Sequence, residues 1–284
     1  DQEMYELKIA AWLHDCGKVA TPEFVVDKST KLETIYDRIN EVETRFAVLQ
    51  RDHEIKRLKK ELLIERDDSL SHKEKNKKID MLKKDYRKII RKIKNDLSFV
   101  QESNVGGEFM SNDKKQRIHE IAQYRWKPNG KMQNFLSEDE IYNLTIPRGT
   151  LTPEERQVIN DHIVVTINML DELPYPKHLK NIPEFAGGHH EKLDGTGYPK
   201  GLTKEEMSIQ ARIMAIADIF EALTARDRPY KKGKTLSQAM RILGFMKDDA
   251  HIDVDLFDIF VKQKIYMKYA KGFLEPEQID EVNI

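Results

Sequence analysis

Two adjacent imidazoles stand beside two carboxylates in His189-His190-Glu191 and Asp194, and a glycine-rich turn, Gly195-Thr196-Gly197-Tyr198-Pro199, follows at once. Far upstream, His14-Asp15-Cys16-Gly17-Lys18 forms a second cluster. Asp218 lies downstream, inside the apolar run Ile213-Met214-Ala215-Ile216-Ala217-Asp218-Ile219-Phe220. Histidine nitrogens and carboxylate oxygens together suit divalent transition metals that activate water. A lysine nearby suits an anionic oxygen such as a phosphate's. A carboxylate buried in an apolar run is costly without a partner, so Asp218 is expected to meet a metal or a salt bridge. Adjacent helical residues point about 100° apart. His14 and Asp15 can therefore serve one cluster only near a helix end, where Gly17 places them. Gly187-Gly188 lets the backbone come close ahead of His189-His190.

The stretches HDCGK (14–18), HHEKLDGTGYPKGL (189–202) and ARIMAIADIFEALTARDRPYKK (211–232) resemble the HD-GYP proteins, a bacterial branch of the HD phosphohydrolases. The resemblance covers residues 5–33 and roughly 147–260. An HD pair alone is weak evidence. An HD pair followed in order by HHExxDGTGYP and an alanine-aspartate pair is specific. By this resemblance His162 matches the family's single helical histidine, and Asp218 its final metal-binding aspartate. A lone helical histidine is otherwise more often an ordinary core or surface residue. The implied site is His14, Asp15, His162, His189, His190 and Asp218, holding two or more divalent metal ions with Asp15 as the bridge. Iron or manganese is implied; mixed nitrogen and oxygen ligands leave zinc and nickel open. His53, His72, His119, His178 and His251 match no motif position and are read as surface residues.

The implied reaction is attack of an activated water on a phosphodiester. Asp15 and Lys18 are the expected catalytic residues, and Lys18 would stabilise charge developing on the phosphate. Arg228 and Lys231 align with phosphate-contacting positions, although one residue is inserted just before them (Ala225-Arg226-Asp227-Arg228). Solvation at the surface is the plainer reading of all three cations. Tyr198 is expected to stack on a base or brace its loop, and Glu191 and Asp194 to orient the histidines from behind. The substrate implied is a cyclic dinucleotide, cyclic di-GMP giving pGpG and GMP, with cyclic GMP-AMP as the alternative. A catalytically silent receptor, binding protein partners through the GYP loop and an inserted hairpin, is the competing class. A nucleotide phosphomonohydrolase is disfavoured by the complete GYP signature. One departure stands out: the family's further histidine, upstream of the HD pair, has no counterpart in residues 1–13.

The elements that must position these groups read as helices, so the expected fold is all-α: an HD-domain helical bundle carrying a long inserted antiparallel helical hairpin. Residues 1–31 and 147–284 are assigned to the catalytic domain and 32–146 to the insertion. In the insertion, Leu32, Ile35, Ile39, Val42, Phe46 and Leu49 step by three and four. So do Ile79, Leu82, Tyr86, Ile89 and Ile93, followed after a shift by Leu97 and Val100. Ser71 with Glu74 forms a candidate capping box at the start of the second long helix. The hairpin is expected to act as a dimer arm. Residues 103–113 read as a loop, 114–125 as a helix, and 126–150 as irregular apart from a short helix after Ser137. Thr152-Pro153-Glu154-Glu155 starts a helix that carries His162 in its middle and ends at Pro174. Further helices are expected over about 209–224, 235–246 and 253–270.

The composition is 34% charged and 39% hydrophobic with a net charge of −1 over 284 residues, which gives no general reason to expect a nucleic acid polymer or an acidic membrane as partner. No run of about 18 apolar residues exists to span a membrane. The single cysteine, Cys16, cannot pair within the chain, which fits a reducing, cytoplasmic setting. The chain opens without a methionine close to His14, and is read as a piece whose parent carries an upstream sensor domain, which could anchor it to a membrane.

Overall fold

Helix α1 (Gln2–Leu13) stops just before His14, and a 3-10 turn, Cys16–Ala20, carries the chain into the short α2 (Glu23–Val26). Gly17 is what permits that stop. A Cβ there would lie 2.1 Å from the His162 carbonyl oxygen, so the chain passes closer than any side chain allows. The computed structural model describes residues 2–107, 109–226 and 233–282. The described chain is all-α apart from one two-stranded ribbon. It divides into two compact units, 1–27 with 154–284, and 28–153.

The second unit contains the long hairpin. Helices α3 (Ile39–Glu65) and α4 (His72–Val105) form its hairpin, followed by α5 (Asn112–Ala122) and α6 (Glu138–Leu144). Ser71 and Glu74 make the reciprocal capping box at the start of α4, and Ser137 with Glu140 repeats it at α6. Val42, Phe46 and Leu49 of α3 pack with Ile93, Phe99 and Val100 of α4 in one core that also buries Phe135 and Leu144. Each such side chain contributes roughly 1.5–3 kcal/mol on full burial. Arg45 fixes α3 to α6, with Nη1 and Nη2 donating to the two Glu140 oxygens at 2.6 and 2.8 Å and Nη1 also to the Phe135 carbonyl at 2.9 Å.

Several expectations are corrected here. The first long helix begins at Ile39, not near Leu32: Leu32 is buried in the preceding loop, its amide donating to Asn104 Oδ1 at 2.8 Å, and Ile35 is 92% exposed. On α4 the seam passes to Ile90, while Ile89 faces outward. Residues 126–150 are not merely irregular: β1 (Arg125–Trp126) pairs antiparallel with β2 (Gln133–Asn134). The compact unit begins at Lys28, and Lys31 is buried in it, its ammonium donating to the carbonyls of Leu144 and Ile146 at 3.1 and 2.9 Å.

The first unit resumes with α7 (Pro153–Asn160), α8 (His162–Asp171), α9 (Ile182–Gly187), α10 (Ile209–Thr224), α11 (Leu236–Asp248), α12 (Val254–Lys262) and α13 (Ile265–Phe273). The single helix expected over His162 is broken at Asp161, so His162 opens α8 instead of lying mid-helix. The single last helix is likewise two, since Lys264 takes a left-handed φ of 52° between α12 and α13. α8 packs on the 3-10 turn and on α9, and α9 packs on α1 and α10. Ala10, Leu170, Phe185 and Met214 fill the core beneath them. A second core, with Phe220, Leu243, Phe257 and Tyr266, ties α10 to α11, α12 and α13. No helix among the described residues is long and apolar enough to cross a membrane.

Candidate metal centre

Three of the histidines stand just beyond a helix end, at the C-termini of α1, α7 and α9. In each, Nδ1 meets the carbonyl three residues earlier: His14 with Ala11 at 2.8 Å, His189 with Ala186 at 2.5 Å, and His162 with Ile159. The last carbonyls of a helix lack intrahelical partners, so each imidazole finds a fixed acceptor there. A carbonyl only accepts, so Nδ1 carries the proton and the Nε2 lone pair is what a neutral ring offers. These backbone carbonyls were invisible in the sequence reading, although a histidine just past a helix end is a signal that could have pointed to them.

The free edges converge on Asp15. His162 Nε2 lies 3.0 Å and His189 Nε2 4.0 Å from Asp15 Oδ1, while His14 Nε2 lies 3.3 Å from Asp15 Oδ2 and 3.4 Å from Asp218 Oδ1. Among the described residues, two ligand groups of this kind form, Asp15-His162-His189-His190 and His14-Asp15-Asp218, each with its ligand atoms within 4.8 Å of one another. They share Asp15. Nε2 of His14, His162 and His189 and Oδ1 of Asp15 are buried and make no hydrogen bond among the described residues. Polar atoms left so are costly unless something else binds them. A set of nitrogen and oxygen donors in that condition fits divalent transition metals.

The electrostatics follow from that crowding. Burial opposes charge on Asp15, yet the close approach of His14, His162 and Lys18 holds its carboxyl well below the usual carboxylate range. Burial likewise opposes charge on His14, and the neighbouring Asp15 and Asp218 outweigh it, pushing the imidazole up to about 10. Burial, and then the adjacent His189, drive His190 down to about 3, and burial also lowers His189.

Lys18 Nζ donates to Asp15 Oδ2 at 2.5 Å across the mouth of the cluster. The Tyr198 ring stacks on His190 with centroids 4.8 Å apart and planes 21° from parallel, so in this structure it braces a histidine. Burial, then Asp218 and Asp15, push its phenol up to about 12. The expected roles of Glu191 and Asp194 are corrected: neither reaches a histidine ring. Glu191 is buried and accepts from the amides of Lys200 and Leu202 at 2.7 and 2.9 Å, clamping the loop closed. Asp194 accepts from the amide and hydroxyl of Thr196. Gly197 is required here because a Cβ would come within 2.3 Å of the Lys192 amide nitrogen. Arg228 and Lys231 lie outside the described residues.

A cavity of about 780 Å³ opens on the cluster, lined by His14, Asp15, Lys18 and Asp218 and also by aromatic residues of α10, α12 and α13. The sequence reading named neither Phe260 nor Tyr269 and expected only a helix over about 253–270 there. It also missed Thr166, fully buried, whose hydroxyl accepts from the Gly17 amide.

Residues 138–256 match the family model for the HD domain. The match takes in His162, His189, His190 and Asp218 and leaves out His14-Asp15, which the insertion separates from it. The chain is 38% identical over 107 residues to a 3'3'-cGAMP-specific phosphodiesterase of Vibrio cholerae, covering 38% of this chain and 22% of that protein. It is 42% identical over 93 residues to a cyclic di-GMP phosphodiesterase of Thermotoga maritima, covering 33% of this chain and 25% of that protein. A probable cyclic di-GMP phosphodiesterase of Vibrio cholerae is 32% identical over 141 residues, covering 48% and 32%. The chain thus spans between about a fifth and a third of the length of these three relatives.

Proposed function

We propose that this chain, with its HD domain, is a metal-dependent phosphodiesterase that hydrolyses a cyclic dinucleotide, cyclic di-GMP first among them. The carrying observation is the convergence on one another of three imidazole nitrogens and an Asp15 oxygen, all buried without a hydrogen bond, beside an open cavity. The names of the relatives supply the substrate class, and one of them makes 3'3'-cGAMP the alternative.

His14, Asp15, His162, His189, His190 and Asp218 would hold two or more divalent cations, with Asp15 common to both groups. Iron or manganese is our choice for this donor set. Bound there, such cations lower the pKa of water and polarise phosphoryl oxygens. The protein's own groups do the rest. The carbonyls of Ala11, Ile159 and Ala186 lock three rings with Nε2 inward. Tyr198 holds the plane of His190. Lys18 places an ammonium where a non-bridging phosphate oxygen would carry developing charge, moving off Asp15 to do so. Arg228 and Lys231 are kept as phosphate contacts on the strength of the sequence resemblance alone.

The hairpin is assigned as a dimer arm, supported by Ile55, Leu58 and Leu62, which α3 leaves about half exposed. The lone free thiol of Cys16 supports a cytoplasmic setting. Protein partners at the GYP loop belong to the same reading.

The test is elemental analysis of anaerobically purified protein with turnover of cyclic di-GMP and 3'3'-cGAMP on the same sample. Two or more metals per chain, and hydrolysis lost in His189→Ala, is the expected result. Bound metal without turnover of either substrate would point instead to a silent receptor. No metal after reconstitution with iron and manganese would sink the mechanism.

A further inference from the structure

The cavity beside the cluster is lined by two unlike sets of residues: histidines, carboxylates and Lys18 in one, Phe220, Phe260 and Tyr269 in the other. We propose that this second set forms a nucleobase subsite, in which one purine of the substrate stacks on Phe260 and Tyr269. The proposal rests on the cyclic dinucleotide reading above and adds to it where the base goes.

Phe220 is the hub. It is 3% exposed and lies two residues beyond Asp218 on α10, so it is rigidly tied to the cluster. Phe260 of α12 meets it edge to face at 5.2 Å and 73°, and Tyr269 of α13 does so at 5.5 Å and 76°. Tyr266 and Phe273 contact the same two rings from their own helix. Both rings are thus held by neighbours yet only half-buried, and both bound the cavity.

Ala217 and Ala222 of α10, and Ala225 just past its end, also line the cavity. These short side chains leave room for a sugar. Every base has a π-face, so such a platform accepts guanine and adenine alike. The subsite therefore fits both kinds of substrate named among the relatives.

The test is calorimetric binding to the metal-loaded chain, with GMP and inorganic phosphate as the two probes. In Phe260→Leu and Tyr269→Leu, which keep apolar bulk and remove the π-face, GMP affinity is expected to fall about five- to a hundredfold. Phosphate affinity should stay at the wild-type value, and KM for cyclic di-GMP should rise with the loss of GMP affinity. Ala222→Leu fills the cavity from an exposed position and should weaken GMP binding in the same way; it decides the matter alone if the aromatic variants fail to fold. Unchanged GMP affinity in folded variants overturns the subsite. So does a parallel loss of phosphate affinity, which would make the rings structural supports, and so does a wild type that binds GMP no tighter than phosphate. If GMP binding depends on the rings while neither cyclic dinucleotide is hydrolysed, the subsite stands and the proposed activity falls.

Discussion

The amide of Gly17 donates to the hydroxyl of Thr166 at 2.9 Å, across a separation of 149 residues. This bond pins the 3-10 turn that follows Asp15 onto α8, whose first residue is His162. The two halves of the candidate metal centre are aligned through it, and a Cβ on Gly17 would sit 2.6 Å from the Thr166 nitrogen and 2.7 Å from its Oγ1. Gly17→Ala is therefore expected to cost about 1–3 kcal/mol or more, as overpacking against backbone that cannot yield. Chemical denaturation measures that loss, and metal analysis of the purified variant should show fewer ions per chain, because Asp15 moves with the turn.

Metal loading should itself stabilise the fold. A ligand that binds only the native state adds about 2.7 kcal/mol at a hundred times its Kd. Melting curves of metal-free protein with increasing manganese should shift upward in the wild type. His189→Ala, which removes a buried ligand nitrogen from the shared group, should shift markedly less.

Glu191 holds the GYP loop by accepting two amides at once. Glu191→Gln keeps one acceptor oxygen and turns an N–H₂ toward the other amide. The loss should be roughly 1–3 kcal/mol of local stability. Hydrogen exchange read at the Lys200 and Leu202 amides should speed up about tenfold or more, while exchange in α3 and α4 stays at the wild-type rate.

In the inserted unit, Asp96 accepts from Lys92 at 2.9 Å, Arg117 at 3.0 Å and the Tyr124 hydroxyl at 2.7 Å. Burial opposes its charge, and these three partners overcome it, so its carboxyl titrates below the usual carboxylate value. A lowered folded-state pKa means the unfolded chain binds the proton first on acidification. The stabilisation is complete above the ordinary value of about 3.9 and is lost as pH falls below it. Asp96→Asn should be less stable than wild type at pH 7 by about 1.5–3 kcal/mol. The gap should narrow progressively below about pH 4, which denaturant titrations at a series of pH values would follow.

Arg45 and Glu140 form a two-pronged pair in which the carboxylate is 2% exposed. Arg45→Ala leaves that carboxylate with the Ser137 amide but no countercharge in the fork, and should cost about 3–5 kcal/mol. Arg45→Lys keeps the charge and loses the fork, so a smaller loss is expected. Guanidinium unfolding of the two variants beside wild type would rank them.

Much of the local structure was legible because it depends on neighbours along the chain. The capping box of Ser71 and Glu74 and the helix start after Ser137 satisfy amides within one turn, and the structure has both. The helix of Asp218 was read to its ends, Ile209 and Thr224, from its apolar run. The misreadings arose where distant packing overrode local pattern. Leu32 continues the helical spacing but is spent on Asn104, and Ile90 rather than Ile89 turns inward where the hairpin core demands it. The breaks at Asp161 and Lys264 carry no glycine or proline to announce them.

By its own order of residues, the chain determined its all-α class, its long capped hairpin, and the identities of the histidines and carboxylates able to hold metal. The first two follow from propensity and periodicity, which act through residue type and short spacing; the set of candidate ligands follows from ligand chemistry and the resemblance of its motifs to a family. Only the tertiary structure decided that Nδ1 of three histidines would be tied to helix-end carbonyls and that Asp15 would face both ligand groups. It also decided that Glu191 would serve the loop instead of a ring, and that Phe260 and Tyr269 would wall the same cavity. Each of these depends on the direction in which a side chain leaves its backbone and on what a remote segment places opposite it. That direction is set when α1, α8, α9 and α10 pack, and no spacing in the sequence records it.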